Sequence, residues 1–353
     1  MNAELMSPLL DEPGAVAADK PDAGVAGHYG DPYAEQRALA SRFGVVDRSN
    51  RGVLRITGQD RLSWLHSLTT QHLERLEPGA SAETLVLSPQ GHVEHHLTLT
   101  DDGSAVWAHV EPGTIGSLVD FLTSMRFMLR VEPEDVSAQY AVLTVHGPQA
   151  PAATVSAGAG LPGIVVSTGF GTDLIVPRAE LAARTAELRS AGAALAGLWA
   201  HEALRIAAGR PRFGLDTDHR TIPHEVGWIE AAVHLSKGCY RGQETVARVH
   251  NLGHPPRRLV LLHLDGSEDK LPRHGDQVLL DEASVGFVGS AARHYELGPI
   301  ALALVKRTTP VTATLTADGV AAAQEVLVPP DAGANIQLEF KRQRADLSGR
   351  ARE

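Results

Sequence analysis

A chain of 353 residues, 43% of them hydrophobic, is long enough for two or three domains with real cores. Its 42 acidic side chains outnumber 32 Lys and Arg, and the net charge of −10 disfavours a general nucleic-acid role while leaving room for a local basic pocket that takes a small anion. One cysteine rules out an intramolecular disulfide framework, and no stretch approaches the ~18 consecutive apolar residues of a membrane span, so the composition reads as a cytoplasmic protein with no membrane partner.

Residues 1–32 carry Glu4, Asp11, Glu12 and Asp22 where a signal peptide has a basic end and an apolar run, and their Ala, Gly, Pro and Asp content reads as a disordered lead-in. Tyr33 to Phe43 is predicted as a helix closed by Gly44, followed by a connector over 45–50. Val53 to Thr57 reads as a strand, with Thr57 and Asp60 in capping-box spacing. A helix should follow, its apolar stripe formed by Leu62, Leu65, Leu68, Leu73 and Leu76 up to Pro78. Strands are predicted over 84–87, 92–100 and 106–110 as a meander, then a helix over 112–125 and strands over 127–131 and 141–146. Residues 150–163 read as loop or weak helix, 164–167 and 173–176 as strands, and 179–190 and 198–208 as helices.

Pro255 and Pro256 mark a boundary. Beyond it, short apolar runs at 259–264, 277–280, 285–290, 301–305, 311–315 and 325–328 alternate with Gly, Pro and Asp turns, the pattern of a small all-β barrel over 256–340. Residues 341–353 form a charged tail, and Arg257–Arg258 reads as a basic pair after a turn.

The chemistry concentrates in Lys237-Gly-Cys-Tyr-Arg-Gly-Gln-Glu244, which holds the chain's one cysteine. Gly238 and Gly242 permit a tight turn or close backbone approach, and Lys237 and Arg241 place cations beside the Cys239 thiol that would favour its thiolate. Tyr240 offers a flat face for stacking on a ring, or else a core contact. Gln243 and Glu244 read as residues that hold the loop by side-chain to backbone hydrogen bonds. His92, Glu94 and His96 fall on one face of a strand, but no established zinc spacing matches them, and no metal site is assigned.

Residues 237–244 resemble the KGCYxGQE signature of the YgfZ family of folate-binding proteins, which is related to the glycine cleavage T-protein. Thr57-Gly-Gln-Asp60 with Trp64-Leu65, Leu204 to Pro211, Ile222-Pro-His-Glu225, Val285 to Ala291 and Gly298 to Val305 are similar to further segments of that family, so the resemblance spans about residues 33–308. It implies an α+β fold: a ring of subdomains with antiparallel sheets and packed helices around a tetrahydrofolate-binding hole, two of them intertwined within residues 33–255, then a C-terminal β-barrel. The implied function is assistance to the assembly or repair of iron–sulfur clusters in partner enzymes, with folate as cofactor and Cys239 facing the folate cavity. Lys237 is then a candidate for the folate glutamate tail or the Cys239 thiolate, and otherwise a solvated loop lysine. Arg205 occupies the position of a folate-contacting arginine in the T-proteins, against an ordinary helix salt bridge. Trp64, Tyr240 and Glu94 complete the candidate folate set.

The sequence departs from the T-protein pattern at Glu94-His95, where the T-proteins carry an acidic pair, and at Ser167 to Asp173, which lacks their pterin-reading glutamates. Aminomethyl transfer is therefore the alternative reading, with Glu94 as the substitute acid.

Overall fold

The computed structural model describes residues 6–150 and 163–333. Nearly all of the 150–163 segment, residues 334–340 of the expected barrel and the expected tail 341–353 lie outside that range. The expectation of disorder for residues 1–32 fails from Met6 onward: a 3₁₀ turn, Pro8–Asp11, precedes β1 (Val16–Ala17) and β2 (Ala26–His28), which pair antiparallel. Composition misleads here because the segment is anchored from outside. Leu9 and Val25 are buried, and Asp22 ion-pairs with Arg212 across 190 residues of chain.

Asp31 caps α1 (Pro32–Ser41), its carboxylate accepting from the Tyr33 and Ala34 N–H groups. Gly44 does not cap this helix. It opens β3 (Gly44–Asp47), where a Cβ would lie 2.6 Å from the Ala194 carbonyl oxygen, so the close approach of two strands demands glycine. The expected connector is thus a buried strand.

The chain then leaves β3 to build a second sheet from β4 (Gly52–Thr57), β5 (Ser81–Leu87), β6 (Val93–Asp101), β7 (Ala105–Val110) and β8 (Glu132–Asp135), in the order β5-β6-β7-β4-β8 and antiparallel throughout. α2 (Arg61–Leu68) and α3 (Ile115–Ser124) cover it through a core that includes Trp64, Leu65, Leu97 and Leu118. α2 stops well short of Pro78 because the backbone turns extended at buried Thr69: its hydroxyl donates to Leu65 O, and Thr70 N–H pairs with Leu85 O of β5. The capping box at Thr57–Asp60 does not form, since the Asp60 carboxylate accepts from Arg130 instead. The strand expected over 127–131 is an exposed turn with Phe127 at φ 47°, and the strand begins at Glu132.

The first sheet is completed by β9 (Tyr140–His146), β10 (Ile164–Thr168), β11 (Gly171–Pro177) and β12 (Ala194–Ala196), in the order β10-β11-β9-β3-β12. Within it β12 runs parallel to β3. α4 (Leu181–Ser190) packs on this sheet, and α5 (Leu198–Ala207), α6 (Trp228–Ala232) and α7 (Gln243–Asn251) lead to the barrel.

β13 (Arg257–Leu264), β14 (Gln277–Leu280), β15 (Ala283–His294), β16 (Gly298–Lys306), β17 (Leu315–Ala317) and β18 (Val320–Val326) close a barrel in the order β13-β16-β15-β14-β17-β18. The strand expected over 311–315 is shifted to β17, because the segment after Pro310 is a turn. The basic pair is not a surface feature. Arg257 binds Glu225 and Asp218, tying the barrel to the preceding loop, while Arg258 is fully buried and donates to Thr309 O and Gln324 Oε1. A core of Leu85, Leu87, Val93, Trp228, Tyr240, Leu259 and Leu302 welds the second sheet to the barrel.

Candidate functional site

A cavity of about 380 Å³ opens where the two sheets, α5, α6 and the barrel meet. Its walls differ in chemistry. One is apolar: Val226, Trp228, Leu259, Leu327 and Val328, with the His96 imidazole stacked on Trp228 at 4.7 Å and 16° between planes, whereas Phe170 sits beside His201 with ring centroids 5.4 Å apart. Ala231, exposed, lies at the mouth.

The opposite wall is a network of buried charges. Arg212 binds Asp22 and Glu111, and lies 3.0 Å from Glu202. Arg51 donates to Glu111 Oε1 at 2.7 Å and to His109 Nδ1 at 2.8 Å, and His109 Nε2 lies 2.8 Å from Asp173 Oδ2. Arg48 lies 3.5 Å from Asp173, whose carboxylate also accepts from the Thr144 hydroxyl. Burial raises the cost of charging these carboxylates, but it is outweighed by Arg212 and Arg51 at Glu111, by Arg205 and Arg212 at Glu202, and by His109 followed by Arg48 at Asp173, and all three are held well below the ordinary range. His109 is desolvated down to about 4, and His201 is pushed down by burial and by Arg48, so both rings are neutral near pH 7. Each guanidinium here is matched by carboxylates, and the wall offers hydrogen-bond partners without a free positive charge.

Between the walls stands Glu83, which accepts from Arg210 and lies 3.1 Å from His96 Nε2. Desolvation opposes its ionisation, yet these partners hold it at about 2, so it is a fixed anion and not a proton acceptor near neutral pH.

Arg205 borders the cavity but has no donor to offer. Its five N–H groups go to Glu202 (both oxygens), Asp216, Ser290 and the Arg210 carbonyl. The pair with Glu202 is the helix salt bridge expected of it, spaced i, i+3 at 2.8 Å. Trp64 is 2% exposed in the core under α2, with Nε1 donating to Met125 O, and does not line the cavity. Tyr240 is a core residue at 7% exposure. Glu94 lies outside the cavity and accepts from Arg241 at 2.7 Å. Glu94 and His96 share a strand face and engage separate partners, Arg241 and Glu83.

Cys239 is exposed and does not line the cavity. Neither does Lys237, which is buried with its ammonium donating to the carbonyls of His66, Thr69 and Gln71, and lying 5.2 Å from the Tyr240 ring centroid. Burial lowers its pKa to about 8. Lys237 thus seals the 66–71 turn, and the Gln243 amide closes the loop by donating to Lys237 O at 3.3 Å. Gly242 has the positive φ and the close approach expected of it, its Cβ position 2.6 Å from Ser88 O, whereas Gly238 has open space around it.

The residues that make the cavity were mostly unmarked in the sequence. Asp173 brings an acid into it from the segment that lacks the T-proteins' glutamates. Arg51, the His109–Glu111 end of β7 and Arg212 converge from three separate segments, with no local spacing to connect them.

A profile of the GCVT N-terminal domain matches residues 14–158, and one of the glycine cleavage T-protein C-terminal barrel domain matches residues 257–339. The N-terminal and barrel segments of the chain are thus similar to those of the glycine cleavage T-proteins. An aminomethyltransferase from Nostoc sp. is 28% identical over 305 residues, covering 77% of this chain and 79% of the relative. A putative chloroplastic transferase, At1g60990 of Arabidopsis thaliana, is 27% identical over 289 residues, 72% of this chain and 65% of its own length. The crystal structure of the glycine cleavage system aminomethyltransferase T from Bartonella henselae superposes with a TM-score of 0.78 at 18% identity, covering 91% of this chain and 96% of that one, which shows a shared fold. Among the described residues no helix is long and apolar enough to cross a membrane.

Proposed function

We propose that this chain binds tetrahydrofolate or a derivative in the central cavity and acts as an accessory factor for iron–sulfur enzymes or for the proteins that assemble their clusters. The observation that carries the folate reading is the pairing of walls: a volume of about 380 Å³ bounded on one side by stacked His96 and Trp228 and on the other by buried polar groups. Such a site suits a flat heterocycle with a hydrogen-bonding edge, and its volume falls in the ~300–1,000 Å³ range of small-molecule sites. His96 and Trp228 would take the ring face, and the Arg51, Glu111 and Asp173 wall its polar edge. With those arginines already paired, the anionic tail of a folate is left to the mouth, beside Arg210 and Ala231. When bound, a reduced folate supplies one-carbon carrier chemistry.

Support for the accessory role comes from what the acids do. Glu94 is held by Arg241 outside the cavity, and Glu83 is locked as an anion, so neither is poised as a general acid or base. The signature segment adds an exposed thiol at Cys239. One thiol cannot hold a cluster that ordinarily takes four protein ligands, so its contact with a partner's cluster is shared and transient. The names of the relatives favour a second reading, folate-dependent one-carbon transfer.

Calorimetric titration with folinic acid, followed by an assay for methylenetetrahydrofolate from glycine-type or methylamine donors, separates these readings. Saturable binding without turnover is expected. Catalytic formation of methylenetetrahydrofolate would replace the accessory role by the transferase, and no binding would sink both.

A further inference from the structure

Away from the cavity, the end of α2 and the turn after it bring together His66, His72 and Glu74, whose ligand atoms all lie within 4.8 Å of one another. The His66 and His72 rings meet edge to face at 4.7 Å, and the exposed His234 ring stands 5.2 Å from His72. His66 Nδ1 is buried without a hydrogen-bond partner. Such an atom ordinarily costs stability unless something satisfies it. Lys237, packed against the same turn, directs its ammonium to the carbonyls of His66, Thr69 and Gln71.

We propose that His66, His72 and Glu74 form a binding site for a divalent transition-metal ion of the zinc type, with two imidazole nitrogens and one carboxylate oxygen as ligands and an open fourth position. Borderline-soft ions take this donor set, and three protein ligands leave room for solvent or a partner's group. Metal–ligand bonds of ~2.0–2.1 Å in a tetrahedron put ligand atoms about 3.3 Å apart, so the three must close by about 1.5 Å at most from their present spread. Half-buried His72 and exposed Glu74 can supply that by side-chain rotation. The bound ion would brace the same turn that Lys237 seals, and that turn supports the Cys239 loop: His234 N–H donates to Thr70 O, and Lys237 N–H to His234 O. An ion here would stiffen the base of the exposed thiol loop.

The test uses the full-length chain freed of metal by chelation. Zn²⁺ is titrated against a chromophoric competitor, and Co²⁺ is added separately to read its visible ligand-field absorption. One equivalent should bind, Co²⁺ should give the intense bands of a four-coordinate site, and His72→Ala and Glu74→Gln should each weaken binding by about tenfold or more. Both residues have exposed or half-buried side chains, and far-UV circular dichroism identifies any variant that fails to fold. His263→Ala, on the barrel surface beside Glu325, should bind as the wild type does. Absence of a saturable one-equivalent site, or a His66→Ala/His72→Ala double variant that folds and keeps wild-type affinity, would overturn the proposal.

Discussion

Removing the Arg205 guanidinium should unfold the protein before it touches the ligand. In Arg205→Met the side-chain volume is nearly kept, but Glu202 and Asp216 lose the donors that reach them at 2.8–3.1 Å, and Ser290 loses its 2.7 Å contact. Glu202 retains Arg212 at 3.0 Å, and Asp216 retains the Arg212 N–H at 2.8 Å and the Ser290 hydroxyl at 2.7 Å. Breaking a buried pair while its partner stays charged costs about 3–5 kcal/mol, and the surviving contacts place this case at the lower end, about 3 kcal/mol. Chemical denaturation at pH 7 should show the midpoint falling with little change in slope. At a temperature where both proteins are folded, folinic acid affinity should drop by less than about fivefold, since a spent donor contributes little to a ligand. Wild-type stability combined with lost folate binding would refute this reasoning and return Arg205 to the ligand.

Acid should destabilise the fold earlier than carboxylate titration allows. Burial lowers the pKa of His95, His109 and His224 from the ordinary 6.5 to about 4, so each is stabilising above about pH 6.5 and loses that contribution as pH falls toward 4, by about 2 kcal/mol per ring at pH 5. A melting temperature that stays flat from pH 7 to 5 would contradict it. Cys239, exposed and off the cavity wall, should react with a thiol reagent to one equivalent in the native state, at a rate that saturating folinic acid leaves unchanged; protection would place the thiol at the ligand. Asp22→Ala should cost about 1–3 kcal/mol in denaturation, because Arg212 loses a bidentate partner while keeping Glu111 and Glu202, and an unchanged midpoint would mean the N-terminal segment is not part of the fold's charge network.

Local signals carried the sequence reading wherever structure is local. The strand-rich composition around the Ser88–Gly91 turn located β6 and β7, and turn residues divided the barrel strands. Errors arose where a distant partner overrode local preference. Gly44 was needed by Ala194 rather than by a helix end, and Asp60 was claimed by Arg130. The N-terminal segment is ordered because Arg212 and the apolar core hold it.

The site was least legible for the same reason. The signature loop drew attention as the richest motif, yet Lys237 and Tyr240 hold the loop in place and Cys239 faces outward. The cavity is built from single charged residues far apart in the chain, such as Arg51, Glu111 and Arg212, and from His96 stacked on Trp228. No spacing rule connects residues whose only link is tertiary. The resemblance implied a folate hole with Arg205, Lys237, Trp64, Tyr240 and Glu94 around it, and of these Arg205 alone borders the cavity described above.

The most direct measurement is a crystal structure of the full chain with tetrahydrofolate. The pteridine ring should lie inside the cavity between the His96–Trp228 wall and the Arg51–Glu111–Asp173 wall, with the glutamate tail toward Arg210 and Cys239 untouched. A ring bound at the Lys237–Glu244 loop, or a cavity that stays free of ligand at saturation, would contradict the account.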